Sequence, residues 1–124
     1  MPQTVFNTQS SRGVLIVTPV GDAVSFRESD VNHSVNLVLE RIGSATPPLV
    51  VVDFGNSSYF GSVIIGAVVT FAEQVKQAGG AIAACRVSDE MLGVFKVMHL
   101  DQLWTVCETR REAVRAVRRT SSGE

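Results

Sequence analysis

Leu49-Val-Val-Val-Asp53 is an uninterrupted run of apolar, mostly β-branched residues closed by an acid, and it constrains the fold more than any other stretch. A half-exposed strand alternates apolar and polar residues. A strand apolar on both sides must be covered on both sides, as in a parallel sheet flanked by helices. After the acid comes a polar stretch, Phe54-Gly-Asn-Ser-Ser-Tyr-Phe60, and then Gly61-Ser62 opens a long apolar segment that runs to Gly79-Gly80. The order reads strand, turn, helix, stop. Ser62 is predicted as the first residue of that helix. A hydroxyl there can cap the unpaired amides, at about 1 kcal/mol. It can equally carry a phosphate, which the same amides and the helix dipole favour.

The other elements follow from similar signals. Val14-Leu-Ile-Val-Thr18 predicts a strand, and a weaker one over residues 4–8 would pair with it through a turn at Ser10-Ser-Arg-Gly13. Ser25 and Glu28 have capping-box spacing, so a helix is expected from Phe26, with Val31, Val35, Val38, Leu39 and Ile42 on one face and Gly43 as its C-terminal cap. Pro47-Pro48 prevents its continuation. Residues 81–87 predict a strand. Ser88 caps a helix with Met91, Leu92, Phe95 and Met98 inward, residues 103–107 predict a last strand, and Thr109 with Glu112 opens a last helix buried through Ala113, Val114 and Val117. The order ββαβαβαβα implies an α/β fold: one domain over residues 1–119, with a mixed, mostly parallel β-sheet, an N-terminal hairpin, and about four α-helices packed on it. Residues 120–124, small and polar, are expected to form a flexible tail.

Composition narrows the function classes. With 124 residues, 45% hydrophobic and 19% charged, the chain supports one core. A net charge of −1 argues against a general nucleic-acid or membrane-surface binder. No run approaches the roughly 18–20 apolar residues of a membrane span, and the start lacks a secretory pattern, so a cytoplasmic location is expected. Cys85 and Cys107 have no metal-ligand spacing and read as buried free thiols. No metal or cofactor is expected.

Candidate chemistry is sparse. No phosphate-cradle motif, catalytic triad or carboxylate pair is legible, so the chain does not read as an enzyme. His33 and His99 read as solvated or capping residues, and Arg110, Arg111, Arg115, Arg118 and Arg119 as a solvated helix face. The helix after Ser62 stands out because Ile64, Val68, Phe71 and Val75 already supply a core face. Val63, Gly66 and Val69 are then left as apolar surface for a partner protein. Asp53 ends the central strand, where open parallel sheets place functional groups, and Ser57 and Ser58 add hydroxyls in the loop.

Several residues recur in a familiar order: strand-ending Asp53, Ser62 at the helix start, Gly66, Lys76-Gln77 before Gly79-Gly80, Phe95 before Leu100, Leu103-Trp-Thr-Val, and Ala113 in the last helix. In these the chain resembles a STAS domain of the anti-sigma factor antagonist type. Where that family commonly has Asp-Ser-Ser-Gly, this chain has Gly61-Ser62-Val63-Ile64, and His99 stands where a small residue is usual. The resemblance implies a regulatory binding protein. Its partner would be an anti-sigma factor that is also a serine kinase, and binding releases a sigma factor. Ser62 occupies the phosphoacceptor position, the kinase modifies it to end the interaction, and a phosphatase restores it. The resemblance implies contact through Asp53, Ser57, Ser58, Gly61, Ser62, Val63, Gly66 and Val69. Two alternatives stand beside this: a constitutive STAS scaffold in which Ser62 is only a cap, and a STAS module sensing a small ligand such as a nucleotide or lipid.

Overall fold

A computed structural model describes residues 4–21 and 26–121. Among the described residues the chain forms β1 (Phe6–Ser11), β2 (Val14–Pro19), α1 (Glu28–Gly43), β3 (Leu49–Asp53), α2 (Ser62–Gln77), β4 (Ala81–Cys85), α3 (Asp89–Val97), a 3₁₀ turn (Leu100–Gln102), β5 (Thr105–Cys107) and α4 (Arg110–Ser121). The five strands lie in sequence order, β1 and β2 antiparallel and the rest parallel. This is the expected mixed α/β architecture with four α-helices among the described residues.

Sequential strand order explains where the helices lie. Right-handed crossovers that all step the same way along a sheet place their helices on one face. α1, α2 and α3 accordingly share a core with Val17, Val50, Val52, Ile82 and Ala84. α4 follows the last strand and is no crossover, so it folds under the other face. There Ala113, Val114 and Val117 meet Val14, Ile16, Val51, Ala83 and Cys85. β3 is therefore buried on both sides, which is why its sequence does not alternate.

Local chemistry moves several boundaries. The hairpin turn is Arg12-Gly13, both at positive φ (53° and 80°), as a two-residue type I′ turn requires. β1 consequently starts later than the sequence predicts and runs to Ser11. α1 is capped at Arg27 without a side-chain bond, and Ser25 lies outside the described residues. Gly43 is the last helical residue rather than the cap, because Ser44 completes the turn in a right-handed conformation. β4 stops at Cys85 because Arg86 turns left-handed (φ 57°). β5 is only three residues long, since the 3₁₀ turn uses Leu100–Gln102 and Trp104 turns inward. Met98, expected in the core, caps the end of α3 and is exposed. α4 continues through Ser121, so Thr120 is helical and its hydroxyl bonds the Ala116 carbonyl; residues 122–124 lie outside the described residues.

Other signals act as predicted. Gly79 (φ 75°) ends α2 with bonds from the Gly79 amide to the Lys76 carbonyl and from the Gly80 amide to the Val75 carbonyl, a Schellman closure. A Cβ on Gly80 would collide with the Pro48 carbonyl, so the helix end and the start of β3 touch only because this residue is glycine. Ser88 accepts from the Met91 amide at 3.1 Å, and Thr109 from the Glu112 amide at 3.1 Å.

Cys85 and Cys107 face each other in register across β4 and β5, both as free thiols. Burial, then the nearby Asp53 carboxylate, pushes the Cys85 thiol up to about 12. The unfolded chain would ionise it near 9.0, so its contribution to stability is intact below that pH and is lost as pH rises toward 12. Cys85 should therefore resist iodoacetamide in the native protein at about pH 8 and react on unfolding. Peptide mapping that found it alkylated in the native state would contradict the burial.

Candidate functional site

The C-terminal ends of β3, β4 and β5 are aligned by register, Asp53 beside Cys85 and Cys85 beside Cys107. The residues that follow each strand therefore converge at one edge of the sheet. Asp53 is fully buried there. Its Oδ1 accepts the Gly55 amide at 2.8 Å. Its Oδ2 accepts Arg110 Nη2 at 2.8 Å, Arg110 Nε at 3.0 Å and Arg86 Nη1 at 3.3 Å. One carboxylate thus joins the β3–α2 loop, the left-handed turn after β4, and the first residue of α4. Gly55 permits this closeness, since a Cβ there would strike the Arg86 guanidinium.

The loop is pinned along its length. Asn56 Nδ2 donates to the Pro19 carbonyl at 3.4 Å. The Ser57 hydroxyl donates to the Tyr59 carbonyl and accepts the Tyr59 amide, closing a tight turn. Ser88 Oγ donates to the Ser58 carbonyl at 2.6 Å and so ties the loop to the start of α3. Phe54 and Phe60 anchor both ends, edge to face with ring centroids 5.4 Å apart, and the contact continues through Phe95 to Trp104.

On this base α2 begins. Gly61 is its N-cap, in extended conformation, and Ser62 is the first helical residue, exposed. The capping role expected of Ser62 therefore falls to a glycine, which brings no side chain to the amides. Those of the first turn have no intrahelical acceptor, and no acidic side chain lies in that turn. A phosphate on Ser62 would meet favourable electrostatics and no carboxylate in the first turn.

The residues expected at a contact surface separate. Val63 is 53% exposed and Tyr59 46%, and Ser58, Ser62 and Gly66 are also exposed. Ser57 and Gly61 are half-buried. Val69 packs against the main core and is half-buried, so it belongs partly to the fold. Asp53 cannot present its side chain to a partner; it holds the surface in place from beneath. Residue-by-residue reading missed Tyr59, Arg86 and Arg110. The last two were legible in principle: in neighbouring parallel strands the positions just after each strand end come together, and here an acid meets two cations.

The STAS domain family model matches residues 5–113, and the chain belongs to that family. Among solved structures it is similar to an anti-sigma-factor antagonist (STAS) domain protein from Planctomyces limnophilus, at 27% identity and TM-score 0.75, over 90% of this chain and 97% of that one. It is similar in fold to the anti-sigma factor antagonist SpoIIAA in its unphosphorylated form (18% identity, TM-score 0.70, 91% and 96% covered). It is also similar in fold to an anti-sigma factor antagonist from Mycobacterium paratuberculosis (20%, TM-score 0.69, 91% and 92%). Among curated proteins, none matches. Among the described residues no helix is long and apolar enough to cross a membrane.

Proposed function

We infer that the chain is a regulatory binding protein of the anti-sigma factor antagonist kind, switched by phosphorylation of Ser62. Its partner is an anti-sigma factor with serine kinase activity, its setting is the cytoplasm, and a phosphatase resets it. The observation that carries this reading is the exposed Ser62 hydroxyl at the start of α2, beside exposed Val63 and Gly66, on a loop locked from beneath by Asp53. A phosphate adds about −1.5 to −2 charge. The helix end favours that charge, so the domain stays folded. A partner packed on Val63 and Gly66 would have to desolvate it, so the complex weakens. Asp53, Ser57 and Gly61 shape the surface, and Ser58, Ser62, Val63, Gly66 and the rim of Val69 form it.

The test is incubation of the chain with the partner kinase and ATP, followed by peptide mass spectrometry and a binding assay. Ser62 is expected to carry the phosphate, and Ser62→Asp to weaken the complex at least tenfold. Ser62→Ala should stay within about 0.5 kcal/mol of the parent in stability, because the serine is not the cap, while losing all labelling. Phosphate on another residue, or a Ser62→Asp complex of unchanged affinity, would sink the switch. The second outcome would favour a constitutive scaffold, a reading that the apolar Val63 directly after the serine also supports.

A further inference from the structure

The lower face of the sheet, where α4 packs, is only partly covered. Five strands at about 4.8 Å spacing span roughly 19 Å from first to last, whereas a helix is about 10 Å across. Three helices share the opposite face. α4 alone serves this one, and it packs chiefly on β3 and β4. The strip under β1 is left open. Asn7, Gln9 and Ser11 point to this face, opposite Thr18, Ile16 and Val14, and all three are exposed.

Between the hairpin turn and α4 this face carries a groove of about 760 Å³. Arg12, Arg110, Arg111, Arg115, Arg118 and Arg119 line it, and no residue of the lining is acidic. These are six of the eleven Lys and Arg residues in a chain whose net charge is −1, so the rest of the molecule is acidic. The grouping does not serve the fold. Arg111 and Arg115 are four residues apart on one helix, as are Arg115 and Arg119, and like charges at that spacing repel. Arg110 and Arg111 occupy the helix start, where the dipole disfavours cations. Arg110 is held by Asp53, but among the described residues no carboxylate pairs with Arg12, Arg111, Arg115 or Arg118.

We propose that this groove docks an acidic helix of a second protein, laid beside α4 under β1 with its carboxylates on the arginines. The open strip is wide enough for one helix at the usual separation of about 8–10 Å from its neighbour. Arg111, Arg115 and Arg118 are four and three residues apart. Asp or Glu at i, i+4 and i+7 of a helix lying alongside repeats those steps, about 6 and 4.5 Å along the axis. Guanidinium grips carboxylates in pairs and is common at protein interfaces. The floor sets the character of the contact. Asn7, Gln9 and Ser11 are polar and Val114 is buried, so little apolar surface is offered, and the complex is steered by charge and reversible rather than obligate. Nucleic acid fits less well. No aromatic side chain lines the groove to stack its bases, and the acidic remainder of the molecule repels a polyanion longer than the groove. The groove lies on the opposite face of the sheet from α2, so this partner and the one at Ser62 bind without overlap.

The test is titration of the full chain with a stapled helical peptide carrying glutamates at i, i+4, i+7 and i+11, followed by calorimetry and by amide chemical shifts. A peptide of the same composition with its glutamates spread around the helix, and an oligouridylate, are titrated alongside. The one-faced peptide should bind in the micromolar range at low salt, more weakly as salt rises. It should shift the amides of Asn7, Gln9, Ser11, Arg12 and α4 and leave those of α2 in place. The Arg115→Gln/Arg118→Gln pair should bind it at least tenfold more weakly, while Arg41→Gln, on α1, should bind as the parent does. Both arginines of the pair are exposed, so that variant should melt no lower than the parent. The proposal is overturned if the one-faced peptide does not bind at low salt, if the spread peptide or the oligouridylate binds as tightly, or if Arg41→Gln weakens binding as much as the pair does. Sedimentation of the chain alone as a dimer that the Arg115→Gln/Arg118→Gln pair dissociates would also overturn it, giving the groove to a second copy.

Discussion

Asp53→Ala should cost about 2–4 kcal/mol of stability and loosen the loop that presents Ser62. Removing one partner of a buried ion pair costs about 3–5 kcal/mol when the other is stranded. Here the stranded groups are the Arg86 and Arg110 guanidiniums, both partly exposed, so water recovers part of the loss. Against that, the Gly55 amide also loses its acceptor. Asp53→Asn should fall between, since an amide oxygen can still accept from Gly55 while the charge is gone. Urea denaturation gives the energy, and amide exchange at Gly55 and across residues 56–61 gives the loosening. A loss below about 1 kcal/mol for Asp53→Ala would mean that the two arginines do not depend on this carboxylate.

Val63→Asp should remove partner binding while leaving the melting temperature close to the parent's. Val63 is 53% exposed on the first turn of α2, where an acid suits the helix dipole. A valine at the centre of a contact surface contributes about 2 kcal/mol when it is a hot spot, roughly thirtyfold in affinity. Val69→Asp should behave differently. Its side chain packs on the core, so an acid there should lower stability by about 1–2 kcal/mol as well as disturbing binding. Pull-down of the partner by the two variants, with melting curves for each, separates surface from core. Undiminished capture by Val63→Asp would remove α2 from the interface.

Particular elements show how far sequence reasoning reached. β3 was legible to the residue, because double-sided burial leaves an unmistakable apolar run and the acid ends it. The end of α2 was equally clear, since glycine at a left-handed position stops a helix by local geometry alone. The start of α2 departs from expectation by one residue in its chemistry. Ser62 is indeed the first helical residue, but the cap is Gly61, and sequence spacing cannot tell which of two adjacent small residues stays extended. Gly43 and Met98 depart from expectation for a related reason: whether the last turn of a helix closes in a right- or left-handed way depends on what the next segment packs against.

The site shows the same division. The Ser62 hydroxyl and the apolar residues after it could be read along the chain, because they are neighbours in sequence and the helical period assigns them faces. The buried carboxylate with its two guanidiniums could not, because Arg86 lies 33 residues from Asp53 and Arg110 lies 57. The arginines of α4 read as a solvated face until the hairpin turn supplied the opposite wall and made the face a groove. Hydrophobic periodicity and turn chemistry act over a few residues, so the sequence by itself determined the elements, their order and the layered α/β class. Strand register and the return of α4 beneath the sheet act between distant segments. Only the tertiary structure decided that Asp53 is a buried anchor, that Val69 is half core, and that the basic residues share a groove.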